Sequence, residues 1–270
     1  LPIRNFAAHL DNERALLEWE PTIDVLEPTA APDYYILYTR VDGGGFDAGR
    51  RVDGCSIEVE VEAGRIYDFR LTAVNRGGES FDSETLSVGR ARRAKGTVLI
   101  VNGFDRVSAP VSRRSDTEVG FYNDEDGGVP YIEEIAYTGN QYIFDLAMAR
   151  CEDDSKALGA SHSGYEGVVL GGNTFCYPSL HGESIIAAGY SFCSASRGAV
   201  EGGSVALDNY DVVDLILGKQ RTSAVGRGAS GYRFVAYGEA LQQALEGYAE
   251  RGGDILVSGA CHLTDLYHSP

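Results

Sequence analysis

"GRIYDFRLTAVNRGGES", residues 64–80, decides how the first third of the chain is read. Tyr67, Phe69, Leu71 and Ala73 occupy alternate positions, the period of a strand with one face in a core, and the run stops in a Gly-Gly turn. Upstream, "CSIEVEVEAG" (55–64) alternates in the same way, with Ile57, Val59 and Val61 inward and Glu58, Glu60 and Glu62 outward. "DYYILYTRVDGG" (33–44) sets Tyr35, Leu37 and Thr39 against Tyr34, Ile36 and Tyr38 ahead of a glycine turn, and "RALLEWEP" (14–21) puts Leu17 and Trp19 on one face. Over 6–88 the pattern is that of an all-β sandwich whose sheets are dry on one side and wet on the other.

At Thr97 the pattern changes. "TVLIVNG" (97–103) is a continuous apolar run, as expected of a strand buried on both faces. Similar runs recur at "YEGVVLGGN" (165–173), "SIIAAGYSF" (184–192), "YDVVDLILG" (210–218) and "GDILVSGA" (253–260). Between the last two, Phe234, Leu241, Ala244, Leu245 and Tyr248 fall near helical spacing and the pattern ends at Gly252 and Gly253. A second helix is expected over 142–158. Strand, helix, strand units of this kind predict a parallel sheet with right-handed crossovers. The expected fold class is therefore two domains: an all-β sandwich over 1–90, a linker over 91–96 that takes in most of the basic "RARRAK" (90–95), and an α/β doubly wound, mostly parallel domain over 97–270. The last segment, "DLYHSP", follows a strand so closely that a cut at the C-terminal end of that domain stays open.

Composition narrows the partners. With 40 acidic against 23 basic residues the formal charge is -17, which repels phosphate backbones and anionic lipid, so no nucleic-acid partner is expected. No apolar run reaches the roughly 18 residues of a membrane span. The chain opens at Leu1 with neither a basic n-region nor an apolar h-region, and it reads as an excised or processed piece of a longer chain with flanking domains. Five cysteines lack zinc-type spacing and are too few for a disulfide-stapled fold; Cys176 and Cys193 are read either as a bridge or as buried thiols. Glycines in "VDGGGFDAG" and "VLGGNT" match neither a Walker A nor a GxGxxG spacing, so no cofactor is expected. The five histidines are dispersed, no HExxH occurs, and the calcium-loop register of "YNDEDGGVPYIE" begins on Tyr122 where a ligand is needed, so no metal is expected.

Two families are resembled. The lone Trp19, the Tyr-rich strand at 34–38 and the stretch at 67–80 resemble the fibronectin type III module, in which Tyr67 would be the tyrosine corner, its hydroxyl bonded back to the backbone. The order "VLIVNG", "YDVVDLIL" and "LEGYAERGGDILVSG" resembles flavodoxin-like sheets of the class I glutamine-amidotransferase-like group, without that group's G-x-C-x-G elbow. More narrowly, the fibronectin-like module with "VLIVNGFDRVSAP", "GGNTFCYPSLHGESIIAAGYSFCSAS" and "DVVDLILGKQ" is similar to secreted bacterial proteins labelled xanthan lyases. Some of these also carry an N-acetylmuramoyl-L-alanine amidase domain. The resemblance implies a secreted, periplasmic or outer-envelope setting and a glycan or peptidoglycan partner.

Ligands of open parallel sheets bind beyond the carboxyl ends of the strands, and that rule selects the candidate site. Asn102, Asp105 and Arg106 come at the end of the first run, Asn173 at the end of the second, Ser191 and Ser194 at the end of the third, and Cys261 with His262 follows the last. Asp105, His181, Cys261 and His262 are the candidate catalytic groups, as carboxylate, proton carriers and thiol; Asn102, Arg106, Asn173, Ser191 and Ser194 are the candidate ligand-binding groups. The long stretch 106–139 is read as a flap over that edge. Two functions remain open: an accessory segment whose fibronectin-like module is a spacer and whose α/β domain binds glycan or peptidoglycan, or a hydrolase or polysaccharide lyase acting on such material at the carboxyl edge.

Overall fold

The computed structural model describes residues 1–105, 111–114, 119–122, 177–218, 220, 223–225, 232–259 and 262–263. Eight strands come first: β1 (Arg4–Asp11), β2 (Arg14–Glu20), β3 (Tyr34–Val41), β4 (Arg50–Val52), β5 (Ser56–Glu60), β6 (Ile66–Asn75), β7 (Gly78–Glu79) and β8 (Leu86–Gly89). All pairings among them are antiparallel: β1–β2–β5 on one side, and β4–β3–β6–β8 on the other with β7 on β6. These are the strand neighbours of a fibronectin type III sandwich. Alternation in β2 buries Ala15, Leu17 and Trp19, and β3 sends Tyr35 and Leu37 into the same core, where Trp19 meets Tyr35 edge to face. Tyr67 is the corner: its hydroxyl accepts the Glu62 N–H at 3.2 Å.

Beyond the sandwich come β9 (Thr97–Asn102), the hairpin β10 (Val111–Arg114) with β11 (Val119–Tyr122), α1 (Tyr177–Ala188), β12 (Ser191–Ser196), α2 (Arg197–Glu201) and β13 (Val212–Gly218). A second short hairpin, β14 (Ser223–Val225) with β15 (Tyr232–Phe234), precedes α3 (Glu239–Glu250) and β16 (Asp254–Gly259). Helices α1 and α3 both stop where a positive-φ glycine, Gly189 or Gly252, lets its own amide and the next one fold back onto carbonyls of the last turn.

The expectation of a freestanding α/β domain, flavodoxin-like and doubly wound on a mostly parallel sheet, is corrected by the strand pairings. β12 pairs in parallel with β9, β9 with β13 and β13 with β16, but β12 is also antiparallel to both β1 and β8. The result is one twelve-stranded sheet running β16-β13-β9-β12-β8-β6-β3-β4, in which antiparallel ladders predominate. An apolar run reports burial on both faces, not the direction of its neighbours, and so could not reveal that the sandwich supplies them. "SIIAAGYSF" is likewise corrected: most of it ends α1, and the strand begins only at Ser191. Short apolar runs fit either element, and length is what arbitrates. The expected strand at 165–173 and helix at 142–158 lie outside the described residues.

Two further apolar clusters flank β9, β12 and β13. Leu99, Val101, Ala195, Val213 and Leu215 face α3 through Leu241 and Tyr248, together with Ala7 of the sandwich. On the opposite face Val98, Ile100, Phe192 and Ile216 pack with Ile66 of β6 beneath Ile185 and Ile186 of α1. Because α1 also lies on β6 and β8, β6 is buried on both sides, and Asp68 near its start is held by Arg40 at 2.6 Å and by the Ser87 hydroxyl.

Candidate functional site

The carboxyl ends of β9 and β13 are knit together by side chains. Gln220, fully buried, accepts the Asp105 N–H at 2.7 Å and donates to the Asp105 carboxylate at 2.7 Å and to the Val235 carbonyl at 3.1 Å. Arg197, at the start of α2, holds the same Val235 carbonyl and pairs with Glu201 at 2.7 Å. Asp105 is thus committed to tying two loops together. Asn102, the last residue of β9, donates to Glu84 at 2.8 Å, while its Oδ1 is buried without a protein partner.

Ser191 and Ser194 serve the joint with the sandwich. Ser191 Oγ accepts the Ala91 N–H at 3.0 Å, and Ser194 Oγ accepts the Ser87 N–H and donates to the Ser87 carbonyl, both at 2.7 Å. Ser194 takes the part of a backbone pair where the β8–β12 ladder holds the single register pair Phe192 and Gly89. Both hydroxyls are buried and occupied. Cys193 is a free, buried thiol, pushed up to about 12 by burial, and it accepts the Leu10 N–H at 3.1 Å. His262 sits just after β16, its Nδ1 3.0 Å from the Gly259 carbonyl. Arg106, Asn173 and Cys261 lie outside the described residues.

His181 is elsewhere. On the second turn of α1 it turns down onto the sheet, its Nδ1 2.6 Å from Asp214 Oδ2 in the middle of β13. The carboxylate bond raises the His181 pKa above its ordinary 6.5, against the opposing effect of burial. Asp214 was absent from the sequence-derived site although its signal was plain: one carboxylate inside the apolar run "VVDLILG". Its other oxygen, Oδ1, is buried with no hydrogen-bond partner. Among the described residues, then, Asp105, His181 and His262 each have their own local partner and do not hydrogen-bond to one another. No group of three or more His, Cys, Asp or Glu among them could hold a metal ion.

No family model matches the chain, and no curated protein matches it. The solved structures it resembles are fibronectin type III domains. The twitchin kinase region of C. elegans, which includes such a module, is 21% identical with a TM-score of 0.29, over 43% of this chain and 26% of that one. A variant titled FN3tt is 23% identical with a TM-score of 0.28, over 34% of this chain and 94% of its own. A two-domain fibronectin type III segment of chicken tenascin is 17% identical with a TM-score of 0.28, over 44% and 59%. The chain thus spans about a quarter of the twitchin region, and it is the strand pairings above that establish the sandwich.

Proposed function

We propose that the chain is an accessory segment of a secreted cell-envelope or polysaccharide-processing protein, with residues 1–90 as a spacer, 91–96 as the connection and 97–270 as a glycan- or peptidoglycan-binding region. The observation that carries this reading is the shared strand: β12 bonds to β1 and β8 on the sandwich side and to β9 on the other. A spacer built into the sheet of its neighbour holds that neighbour at a fixed distance and angle, which a flexible tether would not do. Resemblance of the segments at 98–110, 171–196 and 211–220 to secreted xanthan-lyase-type chains supplies the envelope setting. The charge of -17 favours neutral glycan over polyanionic chains. Retention of the full chain on insoluble neutral polysaccharide and on peptidoglycan sacculi tests the binding; recovery in the unbound fraction with both would remove it.

A further inference from the structure

We propose that His181 and Asp214 form a proton-transfer pair on the α1 face of the sheet, with His181 as general base and Asp214 as the residue that positions it, for hydrolysis of uncharged acyl esters. This goes beyond the binding reading and stands on separate residues. A carboxylate in a fully apolar strand is costly to bury, and as a mere clasp for α1 the pair is poorly built, because Asp214 Oδ1 is left buried without a partner. What the geometry does achieve is orientation. The Asp214 side chain is 4% exposed and the His181 side chain 28%, so the carboxylate lies deep, grips Nδ1–H at 2.6 Å, and leaves the far side of the ring, with Nε2, toward the surface. Holding the proton on Nδ1 fixes the tautomer whose Nε2 lone pair is the base.

The surroundings suit an acyl group. Leu256 of β16 is directly across from Asp214 in the parallel register and is 58% exposed; Leu180, next to His181 on α1, is 60% exposed. Leu256, on the same face as Asp214, is solvent-facing apolar surface beside the pair. Glycoside cleavage would call for two carboxyl groups flanking the bond, and in this pair the one carboxylate is consumed by the histidine, so acyl transfer to water is the chemistry that fits. In the step, Nε2 takes a proton from a water molecule as the water oxygen bonds to the ester carbonyl carbon and the carbonyl π electrons move onto oxygen. When that intermediate collapses, the bond from carbon to the alcohol oxygen breaks, and Nε2–H returns its proton to the departing alkoxide. The products are a carboxylic acid and an alcohol, and Asp214 remains a carboxylate throughout.

The test uses the full chain with p-nitrophenyl acetate and with an O-acetylated neutral polysaccharide, following nitrophenolate and acetate release. The wild type is expected to exceed an equal concentration of free imidazole, and His181→Gln to lose about 100-fold or more of that rate. Asp214→Asn should lower kcat with KM little changed and move the acid limb of the pH–rate profile to lower pH, because the carboxylate is what raises the His181 pKa. A clasp without chemistry would not move that limb. Should either variant fail to fold, the imidazole nitrogen shifts of the wild type report the same point: the Nδ1–H tautomer with a pKa above 6.5 supports the proposal, and an Nε2–H tautomer overturns it. A wild-type rate no greater than that of folded His181→Gln also overturns it. Retention on glycan is scored separately, so loss of binding alone leaves this result standing.

Discussion

The sandwich and the strands after residue 96 bury their side chains by different rules. In β2 and β3 one face is dry and the other wet, so every second residue can be charged at no cost, as Glu18 and Glu20 are. In β13 both faces are covered, Val213 and Leu215 toward α3 and Ile216 toward α1, so a single polar residue there stands out. The first kind of strand tolerates charge and says nothing by carrying it. A carboxylate in the second kind needs a reason, and for Asp214 that reason is the one histidine it orients.

That contrast can be broken in order of expected effect. Phe192 is fully buried where α1, β12 and β8 meet, and a Cβ at Gly182 or Gly89 would overlap its ring, so the fit has no slack. Phe192→Ala should cost about 3–5 kcal/mol in chemical denaturation. Ser194→Ala removes the hydroxyl's two bonds to the Ser87 N–H and carbonyl in the joint and should cost about 1–3 kcal/mol, with exchange of the β8 amides rising first. Tyr67→Phe loses only the bond to the Glu62 amide and should cost about 1 kcal/mol, leaving the strands after residue 96 unaffected by NMR. The smallest effect is a slope. His181 has a folded pKa raised above 6.5, so its contribution to stability is full below that pH and is lost as pH rises through the folded value. In His181→Gln that decline in stability toward higher pH should disappear from denaturation curves taken at each pH.

Much of the sandwich was legible because alternation and turn residues are local signals. Leu17, Trp19, Tyr35, Leu37, Phe69 and Leu71 are buried as the period required, and the Tyr67 corner forms where its motif stood. The strand at 97–102, the strand at 212–218, and the helix closing on Gly252 and Gly253 also followed from pattern. What could not be read was which strands lie side by side. Nothing in "SFCSAS" announces that its edge is taken by β1 and β8 of the sandwich, since the serines that complete that pairing look like loop-rim polarity in sequence. For the same reason Ser191 and Ser194 read in sequence as ligand groups and Asp105 as a catalytic carboxylate, while their hydrogen bonds go to the fold itself. His181 was selected from the sequence, but on the wrong ground: it lies over the middle of β13, because Asp214 is paired across from Ile100 rather than at the strand's carboxyl end.

The sandwich and the later strands share one sheet through β12, and the spacer reading depends on that sharing. Native-state hydrogen exchange of the full chain in rising denaturant probes it at its source. Amides of β1, β8, β12 and β9 should lose protection together, at one free energy of opening. Opening of the sandwich amides at a clearly lower denaturant concentration, with β9, β12 and β13 still protected, would mean two independent units and no common sheet.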